Sequence, residues 1–107
     1  MIPSDKVSFV DSNLEEEYNN LPENDPIKKG IKKAIEKIKE DCQAGENVKK
    51  DSSILYFYKK KFGVNNIRIY DLPLFYRLVY SLSSNEIEII SVILDWKDHK
   101  EYNKLNK

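Results

Sequence analysis

Sixteen of the eighteen basic residues in this 107-residue chain are lysines, so its two arginines, its single histidine and its single tryptophan stand out. All four fall between positions 68 and 99. Arginine offers a planar fork of donors that matches a phosphate. Arg68 and Arg77 lie inside apolar strand patterns, where a fixed charge needs a partner or a purpose. Histidine is the side chain whose ordinary pKa lies near neutrality, so His99 is a candidate to give or take a proton. It stands in Trp96-Lys97-Asp98-His99-Lys100-Glu101-Tyr102, directly after the last apolar run. The same residues also fit structural roles: Arg77 in an ion pair with Glu88 or Asp71, His99 exposed on a helix, Tyr102 capping the core. There is no glycine-rich phosphate loop and no His/Asp/Glu spacing that would hold a metal, so neither metal nor cofactor is expected. The lone cysteine, Cys42, excludes an internal disulfide and a cysteine-based zinc cluster.

The elements that must position these residues can be read from periodicity. Val7 and Phe9 alternate within Lys6–Val10, a first strand. Ser12 and Glu15 form a capping-box pattern that opens a short helix carrying Leu14, Tyr18 and Leu21, interrupted at Pro22. Asp25-Pro26 opens the second helix. Its apolar stripe is Ile27, Ile31, Ala34, Ile35, Ile38 and Cys42, with Gly45 as terminator. Lys28, Lys29, Lys32, Lys33, Lys37 and Lys39 take the exposed circumference, and Cys42 is expected to be a small core residue. Glu46–Asp51 reads as a loop. Ser52–Phe62 suits a short helix closed by Gly63, or else an edge strand at Ile54–Tyr58; the Lys59-Lys60-Lys61 run favours the helix.

From Asn66 the period becomes two. Ile67–Leu72 is a strand ended by Pro73. Phe75–Leu82 follows, with Tyr76, Leu78, Tyr80 and Leu82 on one side and Phe75, Arg77, Val79 and Ser81 on the other. Ser83-Ser84-Asn85 connects it antiparallel to Glu86–Leu94, whose C-terminal half is apolar on both faces and therefore lies inside the sheet. Asp98 caps a final helix reaching Leu105. The order β-α-α-α-β-β-β-α makes an α+β fold. Two helices cover one sheet face and the other is left partly open, where, depending on strand register, Arg68 and Arg77 can converge with Tyr70.

Composition sets the class. With 40% hydrophobic and 34% charged residues, three glycines and four prolines, the chain is too apolar for a disordered tail and too charged for a membrane protein. One domain over residues 1–107 is expected. The Met-Ile-Pro-Ser-Asp-Lys start has neither the basic nor the apolar region of a secretion signal, so a cytoplasmic location is expected. The zero net charge hides a division. Residues 1–26 hold one base against seven acids, residues 27–62 eleven lysines against five acids, and the remainder six of each. A basic surface can therefore exist on a neutral protein, and Lys59, Lys60 and Lys61 form either a phosphate-facing cluster or simply an exposed face.

Phe75-Tyr76-Arg77-Leu78-Val79-Tyr80, followed by an apolar strand and Lys97-Asp98-His99-Lys100-Glu101-Tyr102, resembles the signature of the RelE/ParE superfamily of toxins from type II toxin–antitoxin systems. The resemblance implies the fold of that superfamily: an N-terminal strand, a helical hairpin, a three-stranded antiparallel meander and a short C-terminal helix. It also implies metal-independent cleavage of ribosome-bound mRNA through the RNA's own 2′-OH. By position, Arg77 matches the arginine that contacts the scissile phosphate. Lys97 matches the basic position after the last strand, His99 a position where some members carry histidine, and Tyr102 the terminal tyrosine that can stack on a base. Arg68 matches a strand position that is often basic, and Tyr70 stands where a second basic residue occurs. RNA contacts are thus expected at Arg68, Tyr70, Lys59, Lys60 and Lys61, and catalysis at Arg77, His99, Lys97 and Tyr102. The implied partners are a cognate antitoxin, mRNA and the ribosome, with a homodimer or a toxin–antitoxin hetero-oligomer as the assembly. The alternative is a non-catalytic protein of the same fold, either a gyrase-binding toxin or an inert interaction domain.

Overall fold

The computed structural model describes residues 1–84 and 89–105. The expected connection at Asn85, the strand start at Glu86, Ile87, and Glu88 as a partner of Arg77 all lie outside the described residues. The elements run β1 (Lys6–Phe9), α1 (Ser12–Asn20), α2 (Pro26–Glu40), β2 (Glu46–Asn47), α3 (Ser53–Phe62), β3 (Arg68–Asp71), a 3-10 turn at Pro73–Phe75, β4 (Tyr76–Ser84), β5 (Ile89–Asp98) and α4 (His99–Lys104). The sheet order is β1-β5-β4-β3-β2. β1 runs parallel to β5, and the other pairs are antiparallel. The chain is an α+β protein with a mixed sheet. Among the described residues, no helix is long and apolar enough to cross a membrane.

Helix starts follow local chemistry. The cap of α1 is Asp11 and not Ser12: its carboxylate accepts from the Leu14 N–H at 2.8 Å. A carboxylate at that position also meets the positive end of the helix dipole, which a hydroxyl does less well. Leu21 turns extended ahead of Pro22, as a residue before proline must, and α1 ends. Asp25 caps α2 from one residue before Pro26, accepting from the Ile27 N–H at 2.7 Å. Lys28 departs from the expected exposed face. It is buried, and its ammonium donates to the carbonyls of Asn19 and Leu21 and to Glu23, at 3.3, 3.0 and 2.7 Å. The lysine thereby satisfies the loose carbonyls at the end of α1.

α2 stops at Glu40, short of the expected terminator Gly45. Beyond it the chain bonds the N-terminal segment, with Cys42 N–H on the Ile2 carbonyl and Ser4 N–H on the Lys39 carbonyl. Gly45 serves close approach instead: a Cβ there would lie 2.6 Å from the Ile69 carbonyl oxygen and 2.8 Å from the Tyr80 ring. The expected loop after it contributes β2, which pairs with β3. Cys42 is buried as expected, and burial pushes its thiol pKa up.

Two cores flank the sheet. α1 and α2 press Leu14, Ile27, Ile31, Ala34 and Ile38 onto Leu72, Leu78, Tyr80 and Ile93. The second face is not open. α3, capped by Ser52 and closed by Gly63 at φ 74°, lays Ile54, Leu55 and Tyr58 on Ile67, Ile69, Val79 and Leu94, and Tyr102 of α4 completes this layer. The buried side chains recur at the start and the next turn of α3, so the helix offers one apolar stripe that the sheet face covers.

The entry to β4 carries the strain. Phe75 does not belong to the strand: Leu74 and Phe75 sit in the left-handed region at φ 59° and 62°, in the turn before Tyr76. Each such residue costs about 1–2 kcal/mol where glycine would cost little. The turn is closed by the Leu72 N–H on the Tyr76 carbonyl and the Tyr76 N–H on the Pro73 carbonyl. It is seated on Gly30 of α2, where a Cβ would lie only 2.4 Å from the Pro73 Cδ.

Candidate functional site

Arg77 is the second residue of β4, and its place is set by a bulge in the neighbouring strand. Tyr80 stands opposite Ile93 while Val79 stands opposite Asp95, so Leu94 is an extra residue of β5. Without it the register from Tyr80 would set Trp96 opposite Arg77 and send Lys97 to the other face. With it Lys97 stands opposite Arg77, and Leu94 and Asp95 both serve the α3 face. Bulges re-aim side chains in this way beside functional sites.

The Arg77 guanidinium lies over the Tyr102 ring, 4.6 Å from its centroid, and its Nε is 3.7 Å from Asp71 Oδ1. Arg77 is about one-third exposed and Asp71 is 87% exposed, so the carboxylate can swing into solvent while the ring keeps the guanidinium in place. Tyr102 is buried, and burial raises its pKa despite the nearby guanidinium. It therefore acts as a neutral phenol. Lys97 Nζ is 3.2 Å from Asp95 Oδ2 and 4.0 Å from Glu101 Oε2. The same Asp95 oxygen accepts from the Tyr58 hydroxyl at 3.0 Å. Burial, and then the Asp95 charge, push the Tyr58 pKa far up. His99 begins α4 behind its cap Asp98, and the Asn103 side-chain amide donates to its Nδ1 at 2.9 Å.

Two clefts meet at Arg77. One, of about 420 Å³, runs between β2, β3 and α4 past Ala44, Asn47, Tyr70 and Tyr102. The other, of about 510 Å³, is bounded by Asp71, Leu72, Leu74, Phe75, Tyr76, Arg77 and His99. Arg77 shares the first cleft with Tyr102 and the second with His99, whereas Lys97, though in register with Arg77, lines a separate cleft with Glu17, Leu21, Asp95, Trp96 and Glu101. The expected RNA contacts are not. Arg68 is in register with Tyr80 and Tyr70 with Leu78, which places both on the α1/α2 face, away from Arg77. The convergence expected of Arg68, Tyr70 and Arg77 therefore fails; the residue in register with Arg77 on β3 is Asp71. Arg68 is occupied with structure, its Nε donating to the Gly45 carbonyl at 2.9 Å. Tyr70 still borders the first cleft. Lys59, Lys60 and Lys61 are exposed on α3, with Lys60 5.3 Å over the Tyr56 ring and Lys61 5.3 Å over Phe62, a separate basic patch.

Sequence reasoning missed Leu74 and Phe75 as lining residues, and Asp95 as the partner of Lys97. Phe75, ahead of the alternating Tyr76–Leu82 run, reads as the start of a strand, and nothing in a sequence marks which residue of a strand is the extra one. Compared with protein-family models, curated proteins and solved structures, the chain has no match.

Proposed function

We propose that this protein is a metal-independent endoribonuclease of the RelE/ParE type, the toxin of a type II toxin–antitoxin pair acting on ribosome-bound mRNA. The observation that carries the reading is the placement of Arg77: a guanidinium fixed on a buried ring, at the junction of two clefts, with Lys97 across the strand and His99 on the rim. The chemistry is attack of a 2′-OH on the adjacent phosphorus, forming a 2′,3′-cyclic phosphate and releasing a 5′-OH. It needs a proton acceptor at the 2′-OH, positive charge on the phosphorane-like transition state and a proton donor at the leaving oxygen. Arg77, with Lys97, supplies the charge, usually the largest catalytic contribution. His99 exchanges the proton. Tyr102 holds the guanidinium in place. The ribosome and the antitoxin rest on the sequence resemblance alone.

The test is cleavage of end-labelled mRNA, free and programmed onto ribosomes, by the purified protein. The expected product carries a 2′,3′-cyclic phosphate, and Arg77→Gln lowers the rate by about 10²–10³-fold, as loss of one transition-state donor does elsewhere. No cleavage of either substrate by the wild type refutes the proposal. A second reading, a non-catalytic protein of the same fold, is favoured by one observation: Asp95 and Glu101 already pair with Lys97. Binding of mRNA or gyrase without cleavage would support it.

A further inference from the structure

Phe75 is the most exposed aromatic residue among the described ones, at 81%, and Leu74 beside it is 64% exposed. Scattered apolar residues on a surface need no explanation. This pair differs in three ways. Both residues are held at positive φ, a conformation glycine or asparagine would adopt with less strain. The turn is fixed on both sides, by Pro73 seated on Gly30 and by its closing hydrogen bonds to Tyr76. And the two side chains wall the same cleft as Arg77 and His99. Strain of this kind persists where the surroundings enforce it and concentrates at functional sites.

We infer that Phe75 is a base-stacking platform for single-stranded RNA, set so that a nucleotide whose phosphate meets Arg77 lays its base on the exposed ring. The inference rests on the reading of Arg77 as a phosphate site. Tyr102, the expected base-stacking residue, is buried and has Arg77 on its ring, so a flanking base needs another aromatic surface. Phe75 is the aromatic residue in the Arg77–His99 cleft with a free face, and Leu74 supplies an apolar edge beside it. Stacking accepts any base, because every base has a π-face, while the cation fixes the backbone.

The experiment measures binding of a 5′-fluorescein-labelled 2′-O-methyl RNA octamer, which lacks the attacking hydroxyl, as a function of salt. A second copy of the probe carries 2-aminopurine, whose fluorescence is quenched on stacking. Phe75→Leu is expected to weaken binding about 5- to 100-fold, to leave the slope of log K against log salt unchanged and to abolish the quenching. Phe75→Tyr is expected to bind within about threefold of wild type and to keep the quenching. Arg77→Gln is expected to lower the salt slope by about 0.7, the share of one phosphate contact on a single strand. Because Phe75 is exposed, these variants fold, which circular dichroism and the unfolding midpoint verify. If Phe75→Leu binds like wild type while Arg77→Gln is weakened, the platform is overturned, the RNA reading stands, and the Leu74–Phe75 surface is assigned to a protein partner. If the wild type does not bind the octamer, the platform is overturned, and cleavage of ribosome-bound mRNA alone decides the nuclease reading.

Discussion

Gly30→Ala separates local propensity from tertiary constraint, because the two predict opposite signs. In an exposed helix interior the change would stabilise by about 1 kcal/mol. In this fold the new methyl carbon would lie 2.4 Å from Pro73 Cδ and 3.1 Å from Cγ, with only Leu72 Cδ2, at 3.6 Å, in ordinary contact. A proline ring is fused to its backbone and cannot rotate away, and the turn it starts is already strained at Leu74 and Phe75. Overpacking of this kind costs about 1–3 kcal/mol, and the rigid neighbour argues for the upper end. The net expectation is a loss of about 2 kcal/mol, a fall of roughly 8–16 °C in Tm for a domain of this size. Pro73→Ala removes both close atoms. In that background Gly30→Ala should be stabilising by about 1 kcal/mol, so the double-mutant cycle shows strong coupling with a change of sign. Urea unfolding of the four proteins gives the numbers. A rise in stability for Gly30→Ala alone would refute the argument that α2 carries glycine to seat the turn.

Three further outcomes follow from the same structure. Tyr80→Phe removes a fully buried hydroxyl that accepts from the Gly45 N–H at 2.9 Å and donates to the Cys42 carbonyl at 2.8 Å; a loss of about 1–3 kcal/mol is expected in urea melts, and a neutral result would mean that water replaces the hydroxyl. Phe75→Asn, which suits a left-handed backbone, should raise stability by about 0.5–1 kcal/mol while weakening RNA binding; a lower Tm would remove the argument for strain. Tyr58, Tyr80 and Tyr102 all have raised pKa values, chiefly through burial, so each holds its proton more tightly when folded. Stability from this source is full below about pH 10, where both states are protonated, and falls as the unfolded chain ionises first, by up to about 1.4 kcal/mol per pH unit for each tyrosine. Unfolding midpoints between pH 9 and 11 should therefore fall less steeply for Tyr58→Phe than for wild type, and equal slopes would contradict the assignment.

What was legible in the chain follows from how local each signal is. α2 was readable because Asp25, Pro26 and the Ile27–Ile38 stripe all agree, and α3 because Ser52 and Gly63 bracket it. α4 was readable from Asp98, whose carboxylate accepts from the Glu101 N–H. The alternation of Tyr76, Leu78 and Tyr80 against Arg77 and Val79 survives in the two cores. What failed depends on distant partners. α3 closes the face expected to be open because its stripe finds β3, β4 and β5, a pairing no local pattern specifies. Lys28 is buried because the end of α1 needs its donors. The Leu94 bulge decides that Lys97, and not Trp96, faces Arg77, and it leaves no mark in composition. In the candidate site, residue types pointed to Arg77, Lys97, His99 and Tyr102; Arg77 borders one cleft with Tyr102 and one with His99, while Lys97 lines another. Arg68 and Tyr70 separate from them because register, which the sequence does not carry, sets which face each side chain takes.

Arg77 is proposed as the phosphate-directed cation of an mRNA-cleaving site. The most direct test is primer extension on cellular mRNAs after induced expression of the wild type and of Arg77→Ala. Arg77 is partly exposed and its nearest carboxylate is solvated, so the variant is expected to stay folded. Discrete cuts within translated mRNA are expected for the wild type, and none, with relief of growth inhibition, for the variant. Intact mRNA under wild-type expression, or the same cuts from Arg77→Ala, would contradict it.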